Sequence, residues 1–159
     1  VGELSVAENL ALESIDKFIH NAILDKKRIL ENAEKLIGEY QIKARPTDPV
    51  RTLSGGNMQK VILARALSPE PRVVIASQPT RGLDVGATEY VRTKLLEQRK
   101  RGAAVLLLSE DLEEVMGLSD RIAVIYEGQI VGIVTVTETT REQLGLMMTG
   151  ARQETGSYG

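Results

Sequence analysis

The five residues Leu53–Asn57, "LSGGN", have the types and spacing needed to hold a phosphate. Two successive glycines let the backbone approach a ligand closely, and they stand just ahead of an apolar-periodic stretch, where a helix should start. Free N–H groups and the positive end of the helix dipole suit an anion there. The Ser54 hydroxyl supplies a further donor. A serine-capped helix with a glycine-rich lead is also a common structural feature, so these five residues do not decide the matter alone. A second run, "VVIASQPTRGLDVG" (Val73–Gly86), begins as a buried strand and passes into a turn with Pro79 and Gly82. A phosphate-handling enzyme built on such a strand would end it in carboxylates, which hold magnesium and activate water. Here it ends in Ser77 and Gln78.

The elements that must position these residues follow from periodicity and punctuation. Val6–Ile19 is expected to be helical, with Ser5 as N-cap and Glu8 completing a capping box. Asp25–Tyr40 is a clear amphipathic helix, with Ile29, Ala33, Leu36, Ile37 and Tyr40 on one face. "KARPTDP" (Lys43–Pro49) is a loop. Ser54 caps a helix that runs to about Leu67, and "SPEPR" breaks it. The strand Val73–Ala76 is followed by a helix from about Val85 to Arg101, stopped by Gly102. A second buried strand, Ala104–Leu108, precedes a short helix beginning near Asp111. "RIAVIYEGQIVGIVTV" gives two strands joined at Glu127-Gly128, and a last helix spans about Thr140–Met148. The tail from Ala151 is expected to be disordered. No internal repeat is present. The alternation of strand and helix implies an α/β fold with a parallel sheet and crossover helices.

Composition narrows the function classes. The 159 residues carry 20 Lys and Arg against 22 Asp and Glu, a formal charge of −2, which argues against a general nucleic-acid binder. One Phe, four Tyr and no Trp argue against base stacking and leave the core to aliphatic side chains. Without cysteine there is neither a disulfide framework nor a thiolate metal site. The longest apolar run, Ala103–Leu108, is too short to span a bilayer, and the first residues lack a signal-peptide pattern. A soluble, cytoplasmic domain is expected.

"LSGGNMQKVILARAL", a break, an apolar strand and "PTRGLD" in fixed order are together similar to the ATP-binding cassette of ABC transporters. Asn57 and "QPTRGLDVGA" resemble the cassettes that energise simple-sugar and nucleoside importers, and the likeness runs from "LSVAENLAL" to the hairpin near Gly132. The resemblance implies a truncated P-loop NTPase-like fold. Residues 1–67 would form the α-helical signature subdomain, 68–150 the C-terminal part of the nucleotide-binding core, and 151–159 the tail. No Gly-Lys pair occurs, so the family's phosphate-binding loop, G-x-x-x-x-G-K-[ST], is missing. The chain is therefore expected to be a fragment of a longer cassette that holds no ATP by itself.

Three further departures from the family pattern follow. Ser77 stands where the family has the Asp that orients magnesium, Gln78 where it has the Glu that polarises the attacking water, and Glu110 where it has the switch His. A hydroxyl is a poor magnesium ligand beside a carboxylate. An amide accepts no proton, and loss of a general base costs ~10²–10⁴-fold in rate. A carboxylate at position 110 would repel phosphate by roughly 4 kcal/mol at most near a surface. No catalytic or metal site is expected in cis.

The resemblance implies a head-to-tail pair of cassettes in which each signature completes the other's site. Ser54, Gly55, Gly56 and Asn57 would then contact ATP, with its Mg²⁺, held by a partner cassette fused upstream. Asp84 resembles the D-loop that crosses this interface, and it can equally cap the following helix. Other expected partners are transmembrane permease subunits and, indirectly, a solute-binding protein, at the cytoplasmic face of the membrane. Nucleic acid is not expected, and the shortened sheet could lead to self-association. Two other classes stay open: a non-transport ABC-type ATPase of DNA repair or chromosome maintenance, and a purely structural docking module. His20, the sole histidine, is read as a surface cap at a helix end rather than a ligand.

Overall fold

A computed structural model describes residues 2–20 and 23–150. The expectation for the tail falls on residues 151–159, outside the described residues. Two compact units partition the chain, Val1–Ile75 with Pro79–Leu106 and Ala76–Gln78 with Leu107–Gly159.

In the first unit Ser5 caps α1 (Val6–Ala11) through a full capping box, its Oγ accepting the Glu8 N–H at 3.2 Å while Glu8 Oε2 accepts the Ser5 N–H at 2.8 Å. Ser5 Oγ also donates to Glu8 Oε2 at 2.7 Å, and this bond first and the Ser5 N–H second hold the Glu8 carboxyl below its usual value. The other unsatisfied amides of the first turn go to the loop expected at Lys43–Pro49. Val6 N donates to Asp48 O and Ala7 N to Pro46 O, each at 2.9 Å. That loop is folded on itself as well, with Asp48 accepting the Arg45 N–H at 2.8 Å.

The helix expected over Val6–Ile19 ends early. After Ala11 the chain tightens into a 3₁₀ segment, Leu12–Phe18, in which Ser14 leaves the helical region at φ −135°, ψ 28°. Ser14 and Asp16 are residue types that compete with the helical backbone for hydrogen bonds, and no side-chain cap holds the start of this segment. Two short antiparallel strands follow, β1 (Ile19–His20) and β2 (Ile23–Leu24), with His20 opposite Ile23. His20 is thus an exposed strand residue and not a helix cap. The Phe18 carbonyl accepts the Asp25 N–H at 2.8 Å, and Asp25 caps α2 (Lys26–Glu39).

The apolar stripe of α2 faces inward as its period requires: Ile29, Ala33, Leu36 and Tyr40 are buried together with Val6, Leu10 and Phe18. A short 3₁₀ turn, Val50–Thr52, leads into α3 (Gly55–Leu67), which buries Val61, Ala64 and Leu67. After β3 (Val73–Ser77), α4 (Val85–Lys100) starts at an Asp84 cap and ends at Arg101, and Gly102 takes the left-handed φ of +91° that reverses the chain.

β3 pairs with β4 (Ala104–Leu108) in parallel, Ala104 N donating to Arg72 O at 2.9 Å and Gln78 N to Leu108 O at 2.8 Å. The sequence presents both strands as buried. In the structure only Val74 of β3 is buried, while Val73 and Ile75 are 62% and 69% exposed and Leu106 is more than half exposed. Alternation places these three on one sheet face, which no described residue covers.

The second unit contains α5 (Leu112–Leu118), the antiparallel hairpin β5 (Arg121–Tyr126) and β6 (Gln129–Thr135), and α6 (Arg141–Met148). Glu127 and Gly128 both take positive φ, the requirement of a tight two-residue hairpin turn. Ile122, Val124 and Leu144 form its core, and Thr140 and Gln143 cap α6 reciprocally.

Candidate functional site

The "LSGGN" run lies at the exposed start of α3. Leu53 N donates to Val50 O at 3.1 Å, which closes the preceding 3₁₀ turn and delivers Ser54 in an extended conformation (φ −62°, ψ 155°). The Ser54 Oγ accepts from the Asn57 N–H at 3.4 Å and from Asn57 Nδ2 at 3.0 Å. Gly55 and Gly56 occupy the first two helical positions, where amides have no carbonyl one turn back to donate to.

The two glycines differ in what a side chain would meet. A Cβ on Gly56 would lie 3.4 Å from Ala87 Cβ, because α3 and α4 approach here. A Cβ on Gly55 would meet nothing within 4 Å. Neither residue has positive φ. Packing and backbone conformation therefore give no reason for Gly55, although glycine in a helix costs up to ~1 kcal/mol relative to alanine. The residues present fit a phosphate: exposed amides, an exposed hydroxyl, and open space beside Gly55.

The same unit brings Asp84 near this helix start. Asp84 Oδ1 accepts the Ala87 N–H at 2.8 Å, so its capping role is real, and the neighbouring Val85 is 81% exposed. Gln59 Nε2 of α3 donates to Pro79 O at 2.9 Å, tying the signature helix to the turn that leads to Asp84. Behind both helix starts, Tyr90 donates its hydroxyl proton to Tyr40 O at 2.8 Å. Lys60 Nζ stands 4.7 Å from the centre of the Tyr90 ring, and Lys94 Nζ lies over Tyr40 and Tyr90 at 5.3 and 5.7 Å. Burial pushes the Tyr90 phenol up to about 12. Sequence reasoning placed Tyr40 on the core face of α2 but found neither this cluster nor the Gln59 bond. Their partners are 50 and 20 residues apart, and no local pattern marks them.

In the second unit Ser77 ends β3 exposed, and Gln78 follows at φ +48°. That conformation costs a non-glycine residue about 1–2 kcal/mol. The Gln78–Leu108 hydrogen bond sets this corner beside the end of β4, and exposed Glu110 comes two residues later, just before the Asp111 cap of α5. Ser77, Gln78 and Glu110 thus lie at one end of the β3–β4 pair. A hydroxyl and an amide do not suit magnesium, which favours carboxylate and phosphate oxygens. Among the described residues no group of three or more His, Asp or Glu could hold a metal ion, and no helix is long and apolar enough to cross a membrane.

The guanosine import ATP-binding protein NupO of Bacillus subtilis is 49% identical over 156 residues, covering 96% of this chain and 30% of that protein. The glucose import ATP-binding protein TsgD13 of Haloferax volcanii is 44% identical, covering 99% and 30%. The ribose import ATP-binding protein RbsA of Bacillus subtilis is 40% identical, covering 94% and 31%. The chain thus spans under a third of the length of these relatives. Among solved structures, an inward-facing metal-chelate type ABC transporter matches with a TM-score of 0.77 at 15% identity, over 93% of this chain and 59% of that one. The ATP-binding subunit of another ABC transporter matches with a TM-score of 0.72 at 23% identity, over 94% and 64%. The family model for the ABC transporter matches residues 1–81, which contain the Ser54-capped start of α3. Fold, signature run and relatives agree: the chain belongs to the ABC transporter family, as part of its ATP-binding cassette.

Proposed function

We propose that this chain is part of the ATP-binding subunit of an importer for nucleosides or sugars, and that it acts as a signature donor in trans. Ser54, Gly55 and Gly56 would face the terminal phosphate of ATP bound by a partner cassette, with Asn57 at the same nucleotide-binding helix start. Ser54 would donate its hydroxyl proton and the two glycines their amides, in a position that excludes water from one side of the phosphate. The observation that carries this reading is the exposed helix start at Gly55, where amides are free and no atom occupies the space a Cβ would fill. Asp84, with Val85 exposed beside it, would lie at the same interface.

On this reading the cis chemistry is absent. Ser77 and Gln78 would offer neither a magnesium ligand nor a general base, and Glu110 would place negative charge beside the phosphate. Several proposals accompany it. Residues 1–67 act as the helical subdomain and 68–150 as the C-terminal part of the core of a longer cassette, fused to the partner that supplies ATP and Mg²⁺. The assembly sits on permease subunits at the cytoplasmic face of the membrane and receives solute from a binding protein. The relatives' import roles support this, as does the uncovered apolar face at Val73, Ile75 and Leu106, which the rest of a cassette would cover. Without that cover the chain would self-associate.

The test is ATP turnover by the assembled transporter. Ser54→Arg, which fills the helix start with a bulky cation, should abolish coupled turnover while leaving assembly with the permease intact. Unchanged turnover would refute the role in trans.

A further inference from the structure

We infer that Asn57 is a positioning residue that fixes the polarity of the Ser54 hydroxyl, and that it does so on a reference point outside its own helix, the Lys43 amide. The inference rests on the proposed role of Ser54 as a donor in trans.

Asparagine side chains carry an acceptor and a donor end, and only the hydrogen-bond partners say which end points where. At Asn57 the partner decides unambiguously. The Lys43 backbone N–H can only donate, and it reaches Asn57 Oδ1 at 2.8 Å. Nδ2 must therefore be the end that faces Ser54, and it donates to Ser54 Oγ at 3.0 Å. The backbone N–H of Asn57 reaches the same oxygen at 3.4 Å. A hydroxyl has two acceptor lone pairs and one proton. Both lone pairs are engaged within the helix start, so the proton is left to point outward from an exposed residue. The serine is thereby held as a donor.

The reference point is itself fixed. Ile42 is buried and its N–H donates to Ile37 O at 2.9 Å, while Gln41 O accepts from Lys60 Nζ of α3 at 3.0 Å. The segment 41–43 is therefore tied to the end of α2 on one side and to α3 on the other. A chain that ends one helix sets the hydrogen-bond direction at the start of the next.

Asn57→Asp tests this with almost no change of shape. One carboxylate oxygen still accepts from Lys43 N–H, but the other can only accept from Ser54, which turns the hydroxyl proton inward. An acidic residue in the first turn suits the helix dipole, so the fold is preserved. ATP turnover is measured in the assembled cassette pair for Ser54→Ala, Asn57→Asp and the double variant, and Lys43 amide exchange for the wild-type protein, Asn57→Asp and Asn57→Ala. Loss of a hydrogen bond to a charged group predicts a ~10- to 100-fold fall for Ser54→Ala. Asn57→Asp should fall as far, and the double variant should be no worse than Ser54→Ala, because both changes remove the same donor. Lys43 should stay protected in Asn57→Asp and exchange faster in Asn57→Ala. A residue that merely supported the helix, or whose new charge acted on phosphate directly, would depress both serine and alanine backgrounds alike. Multiplying losses, or unchanged Lys43 exchange in Asn57→Ala, would overturn the positioning role alone. Full turnover by Ser54→Ala would overturn the donor reading and this inference with it.

Discussion

Replacing Gly55 by alanine should move stability and function in opposite directions. Gly55 is the first residue of α3, its φ is not positive, and a Cβ there would meet no atom within 4 Å. The methyl group therefore introduces no clash and reduces the freedom of the unfolded chain, which is worth about 0.4–1 kcal/mol. For a protein of this size that corresponds to a rise of about 1–4 °C in Tm. In the cassette pair the same methyl group would fill the space through which a phosphate reaches the Gly55 and Gly56 amides. Loss of one charge-assisted hydrogen bond predicts at least a tenfold loss of nucleotide retention, from roughly 1.5 kcal/mol or more. Thermal melts of the chain and retention of labelled ATP by the pair give the two readings. A lowered Tm would mean that Gly55 serves the fold. A raised Tm with full retention would mean that the open space is not ligand space.

Three other outcomes are expected. Asp84→Ala should cost ~1 kcal/mol by removing the α4 cap, and Asp84→Ser should restore it in urea melts, so that any remaining loss of turnover in Asp84→Ser belongs to the interface. Tyr90 has a folded pKa pushed up to about 12 from an ordinary ~10, so its contribution is complete below the unfolded value and disappears as pH rises towards the folded one. Tyr90→Phe should cost ~0.5–1.5 kcal/mol at neutral pH through the lost bond to Tyr40 O, and the difference from the wild-type protein should shrink over that alkaline interval, where tyrosinate absorbance reports the ionisation. In the second unit a Cβ on Gly132 would meet only the flexible end of Met147, which can turn aside, so Gly132→Ala in β6 should stabilise the hairpin by about 0.5–1 kcal/mol in urea melts, and a loss of stability would show that Met147 is held in place.

The elements that the sequence announces most clearly are those whose cause is local. Ser5 with Glu8, Ser54, and Thr140 at the start of α6 sit within one turn of the amides they satisfy, and Glu127-Gly128 needs only its own two dihedrals. Ser14 shows the limit of such reasoning. The apolar spacing through Ile15 and Phe18 suits a helix, yet the backbone leaves it at Ser14, where Ser14 and Asp16 compete with the helical hydrogen bonds. The burial of β3 was not legible for a different reason: an apolar residue in a strand says that something should cover it, not that the cover lies within the same chain. At the candidate site, the residue types of "LSGGN" were readable, but the bond from Lys43 to Asn57 spans 14 residues and joins two elements whose approach is set by core packing between α1, α2 and α3. The polarity of the Ser54 hydroxyl is a property of the fold and of no short motif.

The most direct test of the account is a titration with a fluorescent ATP analogue and magnesium, first of this chain alone and then with the partner cassette added. The chain alone should show no binding, and the mixture should retain nucleotide more tightly in a way that disappears with Ser54→Arg. Micromolar binding by the chain alone, or retention that survives Ser54→Arg, would contradict it.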